Sequence, residues 1–325
     1  MLYTLIMKTN NHLSPAPNPP SALKKWIIAI RPWSFPASTM PVLFGTSLAV
    51  IYGQIQLNLA YFLLALLAMV ILHSAANMLS DFFDFKQGLD REVTPVSGAI
   101  VRGWITPPQA LKAATILFVS GSLLGLLLSW LTSPLLLYVG GLGIVIGLVY
   151  TLMKYHALGD LAVFLNFGIL GSLGAWIVQT ETFSWLPLLW AVPIAMLVAG
   201  ILHANNWRDV ASDTTCRIKT VASLLGDRGS LIYYGTLLFG SMTYVIAFIF
   251  IPRLLSEGKS YLTMPFSFLV CLMALPAAFK LWQRALHRHQ PRHPLDFVIL
   301  DGATSQYNLL FGTLCLLSIW LDFFI

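Results

Sequence analysis

Residues 58–84 read NLAYFLLALLAMVILHSAANMLSDFFD, an apolar run that closes on Asn77, Asp81 and Asp84. About 20 apolar residues in a helix cross the hydrocarbon core of a bilayer. Spacings of three and four put side chains on one helix face. The stretch therefore predicts a membrane helix whose end carries a small acidic ridge. Phe82, Phe83 and Phe85 interrupt the acids with large rings, unlike an ordinary hydrated loop, and point the segment back toward a cavity.

The same pattern extends outward in both directions. Apolar runs at 26–52, 58–80, 109–131, 134–153, 159–179, 184–205, 230–252, 263–282 and 304–325 predict an all-α, polytopic chain with nine transmembrane helices. Composition agrees: of 325 residues 57% are hydrophobic and 10% charged, where a soluble domain carries about 25% charged residues. Residues 1–23 are polar and Pro-rich, lack the compact apolar core of a signal peptide, and are expected as a flexible cytosolic tail before a single membrane domain, 24–325. Cys216, Cys271 and Cys315 are odd in number and far apart, which argues for packing rather than a disulfide framework or zinc site.

Three long polar connections, Asp81 to Pro108, Asn206 to Gly229 and Leu281 to Ala303, fall on one side of the membrane. That side, with the tail, the turn at Lys154 and the adjoining helix ends, collects 17 of the 19 Lys and Arg residues, leaving Arg253 and Lys259 opposite. Basic residues mark the cytosolic side, so this asymmetry accounts for the net charge of +6 without nucleic acid as a partner. The basic stretch from Lys280 to His293 reads as a solvated loop of that side. The expected location is the cytoplasmic membrane of a bacterium, multi-pass, with the site facing the cytosol and the lipid bilayer as the surrounding partner.

A second acidic group, Asn205-Asn206-Trp-Arg-Asp209-Val-Ala-Ser-Asp213, follows the sixth run as the first follows the second. Its expected ridge is Asn206, Asp209 and Asp213. Four spans separate the two ridges, so the chain reads as two four-helix halves, each with one ridge, plus a last helix. Carboxylates crowded near an apolar boundary resist ionisation unless a cation neutralises them. Mg²⁺ suits this role, since it takes oxygen ligands and keeps positions for phosphate. Lys86, Arg91, Arg102, Arg208, Arg217, Lys219 and Arg228 lie close enough in sequence to balance a diphosphate, Lys219 foremost. Arg31, in Arg31-Pro32-Trp33, is read equally as an interfacial anchor or as a contact to an anionic acceptor.

These motifs resemble those of the UbiA-type intramembrane prenyltransferases over nearly the whole chain from Lys24. Asn77 to Asp90 is similar to the family's first aspartate-rich motif and Asn205 to Thr220 to its second. Arg31 to Ser38, Ala157 to Asp160 and Ile201 to Asn206 are similar to the 1,4-dihydroxy-2-naphthoate polyprenyltransferases and their vertebrate menaquinone-4-forming relative. The resemblance implies Mg²⁺-dependent transfer of a polyprenyl group from its diphosphate to an aromatic acceptor, with carboxylate loss when the acceptor is dihydroxynaphthoate. It implies catalytic carboxylates at Asp81, Asp84, Asp209 and Asp213. Metal would be held by Asn77, Asp81 and Asp84 on one side and by Asn206, Asp209 and Asp213 on the other. Substrate would be bound by Lys219, Arg208, Lys86, Arg91, Tyr150, Lys154, Asp160 and Arg31. Two departures stand out: Ser80 where the first motif commonly has Asn, and Arg217 where the second commonly has Gly. The Pro or Gly common between Tyr150 and Lys154 is also missing. Alternatives are another aromatic acceptor such as 4-hydroxybenzoate or homogentisate, an ion-coupled carrier, and an inactive scaffold.

Overall fold

The computed structural model describes residues 21–89, 93, 98–255 and 262–324. The tail expected at 1–23 falls outside them up to residue 20, as do Asp90 and Arg91.

The first apolar run is bent. α1 (Ala22–Ile30) starts on Ser21, whose hydroxyl accepts the Lys24 N–H, and stops at Arg31, which adopts the left-handed conformation (φ 53°, ψ 61°). Proline disfavours the right-handed helical region in the residue before it and suits the first position of a new helix. Pro32 and Pro36 thus restart the chain as a 3₁₀ turn, Pro32–Ser34, and α2 (Pro36–Ile51). The two arms meet at 56°.

α3 (Leu59–Lys86) starts on Asn58, whose side chain caps the Tyr61 N–H, and it runs beyond the expected end at 80, so the whole first ridge is helical. α4 (Pro107–Leu131) opens with a capping box between Thr106 and Gln109, and α5 (Leu135–Tyr155) follows. The next span, Gly159–Thr180, is one column of α6 (Gly159–Val163), a π-helical segment Phe164–Leu170 and α7 (Gly171–Thr180). Then come α8 (Trp185–Trp190), α9 (Val192–Arg208), α10 (Val210–Thr215) and α11 (Val221–Leu255). α11 is kinked at Gly226, where φ of 65° suits a residue without Cβ. A 3₁₀ segment, Phe266–Ala274, leads into α12 (Leu275–Leu286), and α13 (Leu300–Phe324) ends the chain.

Among the described residues, seven helices are long and apolar enough to cross a membrane, eight when the bent first pair is counted. The expected sixth run, 184–205, falls outside that count, because it is divided at Ala191 into α8 and α9, with Pro193 in the first turn of the second piece. The architecture is all-helical and multi-pass.

α3 packs along α4 in the first half, and α9 along α11 in the second, the same places in a repeat of four spans. α2 lies against α7, and α13 closes the bundle against α2, α9 and the 3₁₀ segment. Lipid tails are as apolar as leucine, so such helices associate through close packing of small residues. At Gly45 an added Cβ would sit 2.1 Å from the Ser172 carbonyl oxygen, and at Gly168 it would sit 2.2 Å from the Ala195 Cβ. Phe44, Trp190, Phe268 and Phe311 fill the centre, whereas Leu123, Trp130 and Tyr138 on α4 and α5 stay exposed, as a lipid-facing rim requires.

Candidate active site

A cavity of about 1010 Å³ opens among the ends of α3, α5, α9, α10 and α13, roofed by α1. Both acidic ridges contribute to it: Asn77 and Asp84 from the first, Asp209 and Asp213 from the second. Its deeper wall is apolar, with Ile146, Val163, Phe167 and Val198. Phe167 and its neighbour Asn166 are set there by the π-helical segment, a device that recurs at functional sites.

Each acid of the first ridge is tied to a different element. The Asn77 amide donates to the Ile30 carbonyl at 3.1 Å and to the Ser34 hydroxyl at 3.2 Å, pinning the bend of the first span. Arg31, freed from helical geometry at that bend, forms an ion pair with Asp81. Asp84 accepts from Lys154 Nζ at 3.0 Å, from the Tyr155 hydroxyl at 2.9 Å and from Ser80 Oγ at 3.3 Å. Both side chains of the Asp84–Lys154 pair are only 9% exposed. Ser80, one of the two motif departures, thus contributes a donor to Asp84.

The second ridge differs from its expected form. α9 ends at Arg208, Asp209 caps it with non-helical geometry, and Asp213 sits in the separate α10. Spacing counted along one helix therefore does not carry through, and Asn206 is buried (2% exposed) without lining the cavity, while Asn205 does line it. Arg208 grips Asp209 with a two-pronged fork, Nε to Oδ1 at 2.8 Å and Nη2 to Oδ2 at 2.9 Å.

Of the other expected substrate contacts, Arg31, Tyr150, Lys154 and Arg208 line the cavity. Lys86 and Lys219 are exposed and do not line it; the Lys219 N–H instead bonds the Tyr155 carbonyl at 3.2 Å. Asp160 is buried at the start of α6, 3.4 Å from His203 Nδ1, and also lies off the cavity. Arg102 lines the cavity with its guanidinium 5.1 Å from the Trp104 ring centre, whereas Arg217 and Arg228 are exposed.

Three residues of the cavity escaped sequence reasoning. His73 lies one helical turn before Asn77 and bonds Ser38 at 2.8 Å and Ser34 at 3.3 Å, with the Phe167 ring 4.6 Å away. Extending the ridge by one more i, i+4 step would have found it. Asn166 is visible only once the π-helical turn is known. Asp301, in the first turn of α13, meets Arg208 Nη1 at 3.1 Å.

The donor set suits Mg²⁺ chemically, since all four ridge residues in the cavity offer oxygen. Among the described residues no three His, Cys, Asp or Glu side chains converge closely enough to form a ready-made metal cage. Asp81, Asp84 and Asp209 instead each hold a cation of the chain itself. Such a site fits an ion that keeps water and phosphate ligands and needs one or two carboxylates.

The chain matches the UbiA prenyltransferase family over residues 38–298. It is 33% identical over 302 residues to the UbiA prenyltransferase domain-containing protein 1 homolog of Drosophila melanogaster, covering 90% of this chain and 78% of that protein. It is 31% identical over 299 residues to the 1,4-dihydroxy-2-naphthoate octaprenyltransferase of Bacillus subtilis, covering 90% and 91%. A UbiA homolog from Archaeoglobus fulgidus, solved bound to DMAPP and Mg²⁺, shares the fold with a TM-score of 0.60 at 16% identity, covering 90% of this chain and 99% of that one. The chain belongs to the UbiA prenyltransferase family: it is a multi-pass membrane enzyme that transfers prenyl groups.

Proposed function

We propose that the chain transfers a polyprenyl group from its diphosphate to 1,4-dihydroxy-2-naphthoate in menaquinone synthesis, releasing diphosphate and carbon dioxide. The observation that carries this reading is that Asn77, Asp84, Asp209 and Asp213 share one cavity with Arg31, Lys154 and Arg208 above an apolar wall. The likeness to the Bacillus enzyme supports the acceptor.

In this reading the diphosphate lies between the ridges and the prenyl chain runs along Ile146, Val163 and Val198. Asn77, Asp81, Asp84, Asp209 and Asp213 hold Mg²⁺, with Asn205 nearer the cavity than Asn206. The ion supplies charge neutralisation for a leaving group that gains charge in the transition state. Lys154, Arg208 and Arg31 exchange part of their hold on the carboxylates for phosphate oxygens, to which Lys binds as a compact charge and Arg as a fork. Tyr150 and His73 face the space left for the aromatic ring. His73 Nε2 lies 3.3 Å from the Ser34 hydroxyl and Nδ1 2.8 Å from the Ser38 hydroxyl, which hold the ring in place while donating their own protons to the Arg31 and Phe35 carbonyls. Lys86 and Lys219 do not enter this account. The basic residues gathered at the cavity's end of the bundle support a cytosolic orientation. The relatives come from an animal and a bacterium, so the likeness does not select the membrane.

The test is mass spectrometry of products from purified protein in lipid with Mg²⁺, a polyprenyl diphosphate, and dihydroxynaphthoate competing with 4-hydroxybenzoate. Prenylated, decarboxylated naphthoquinol is expected. Prenylated benzoate overturns the acceptor, and absence of both products overturns the reading.

A further inference from the structure

Arg208 does more than neutralise Asp209. Its Nε and Nη2 hold both Asp209 oxygens, while Nη1 lies 3.1 Å from Asp301 Oδ2 and donates to the Val298 carbonyl at 3.0 Å. Asn205 Nδ2 donates to the same Asp301 oxygen at 3.3 Å. All four side chains line the cavity. Asp301 belongs to the first turn of α13, which packs on α9 from the far end of the sequence.

We infer that Asp301 is a positioning residue of the transferase site: it anchors Arg208 from behind, so that the guanidinium fork can leave Asp209 for a diphosphate without leaving the cavity. A fork bound only to Asp209 would compete directly with any cation drawn to that carboxylate. With Nη1 fixed on Asp301 and Val298, Asp209 can turn to the incoming ion while Nε and Nη2 stay aimed at the same space. The last helix thereby becomes part of the second acidic site. This rests on the proposed diphosphate chemistry.

Asp301→Asn keeps the shape and removes the charge. It is expected to raise both the half-saturating Mg²⁺ concentration and KM for the prenyl diphosphate about tenfold, the size of one charged hydrogen bond. KM for the aromatic acceptor should stay unchanged, and Asp301→Glu should recover part of the loss. A second measurement does not need turnover: calorimetric binding of inorganic pyrophosphate with Mg²⁺ to the wild-type chain, Asp301→Asn, Arg208→Gln and the double variant. If Asp301 acts through Arg208, the double variant binds no more weakly than Arg208→Gln alone. Pyrophosphate binding by Asp301→Asn equal to wild type, or strictly additive losses in the double variant, overturns the inference. Wild-type protein that binds Mg²⁺ pyrophosphate but makes no prenylated product overturns the transferase reading, while the binding cycle still decides the role of Asp301.

Discussion

Asp84 and Asp209, one from each ridge, sit at different depths, and this sets different outcomes for the same substitution. Asp84→Asn leaves Lys154 buried with its charge uncompensated, and breaking such a pair costs about 3 kcal/mol or more. Thermal unfolding in detergent should show a large loss alongside lost transfer. Asp209 is 33% exposed and its partner Arg208 retains Asp301, so Asp209→Asn is expected to abolish transfer while unfolding at nearly the wild-type temperature. Full transfer by the Asp209 variant would remove that carboxylate from the proposed metal set. The first ridge was legible because Asn77, Asp81 and Asp84 lie on one continuous helix, where spacing translates directly into geometry. The second was legible as a cluster but not as a ridge, because the cap at Asp209 breaks the helix between its members. Lys219 was suited by sequence distance and by the family resemblance; in the structure it is exposed and does not line the cavity.

Among the elements, boundaries carry the information that hydropathy lacks. Arg217 sits where the family commonly has Gly, and it has φ of 58° in the turn after α10. A left-handed conformation costs a residue with Cβ about 1 kcal/mol or more. Arg217→Gly should therefore stabilise the chain slightly, and an unfolding temperature below wild type would refute that. Close approach of α2 and α7 gives the opposite result. Gly45→Val would drive a side chain into the Ser172 backbone, an overpacking that costs about 1–3 kcal/mol, measured as reduced unfolding temperature in detergent. The sequence pattern located these helices but not their breaks. The bend at Arg31, the π-helical turn at Phe164–Leu170 and the division at Ala191 all sit inside apolar runs whose hydropathy is continuous.

Over the whole molecule, the placement of the site at one end of the bundle followed from charge asymmetry and from the repeat, which the matched pairs α3 with α4 and α9 with α11 reproduce. What the sequence did not disclose is that α13 reaches the cavity through Asp301, since contacts between distant parts of a chain leave no local periodicity. Nor did it disclose that Arg31, Lys154 and Arg208 sit on the carboxylates as internal counter-ions. A chelator should therefore stop transfer, with recovery on adding Mg²⁺, yet leave the unfolding temperature unchanged; a large drop in that temperature would show the ion to be structural. Under the proposed function, the kinetic consequence is that Mg²⁺ would behave as a co-substrate. Ion and prenyl diphosphate would then enter together, and because coupling between two ligands is reciprocal, the apparent affinity for each is expected to rise with the concentration of the other.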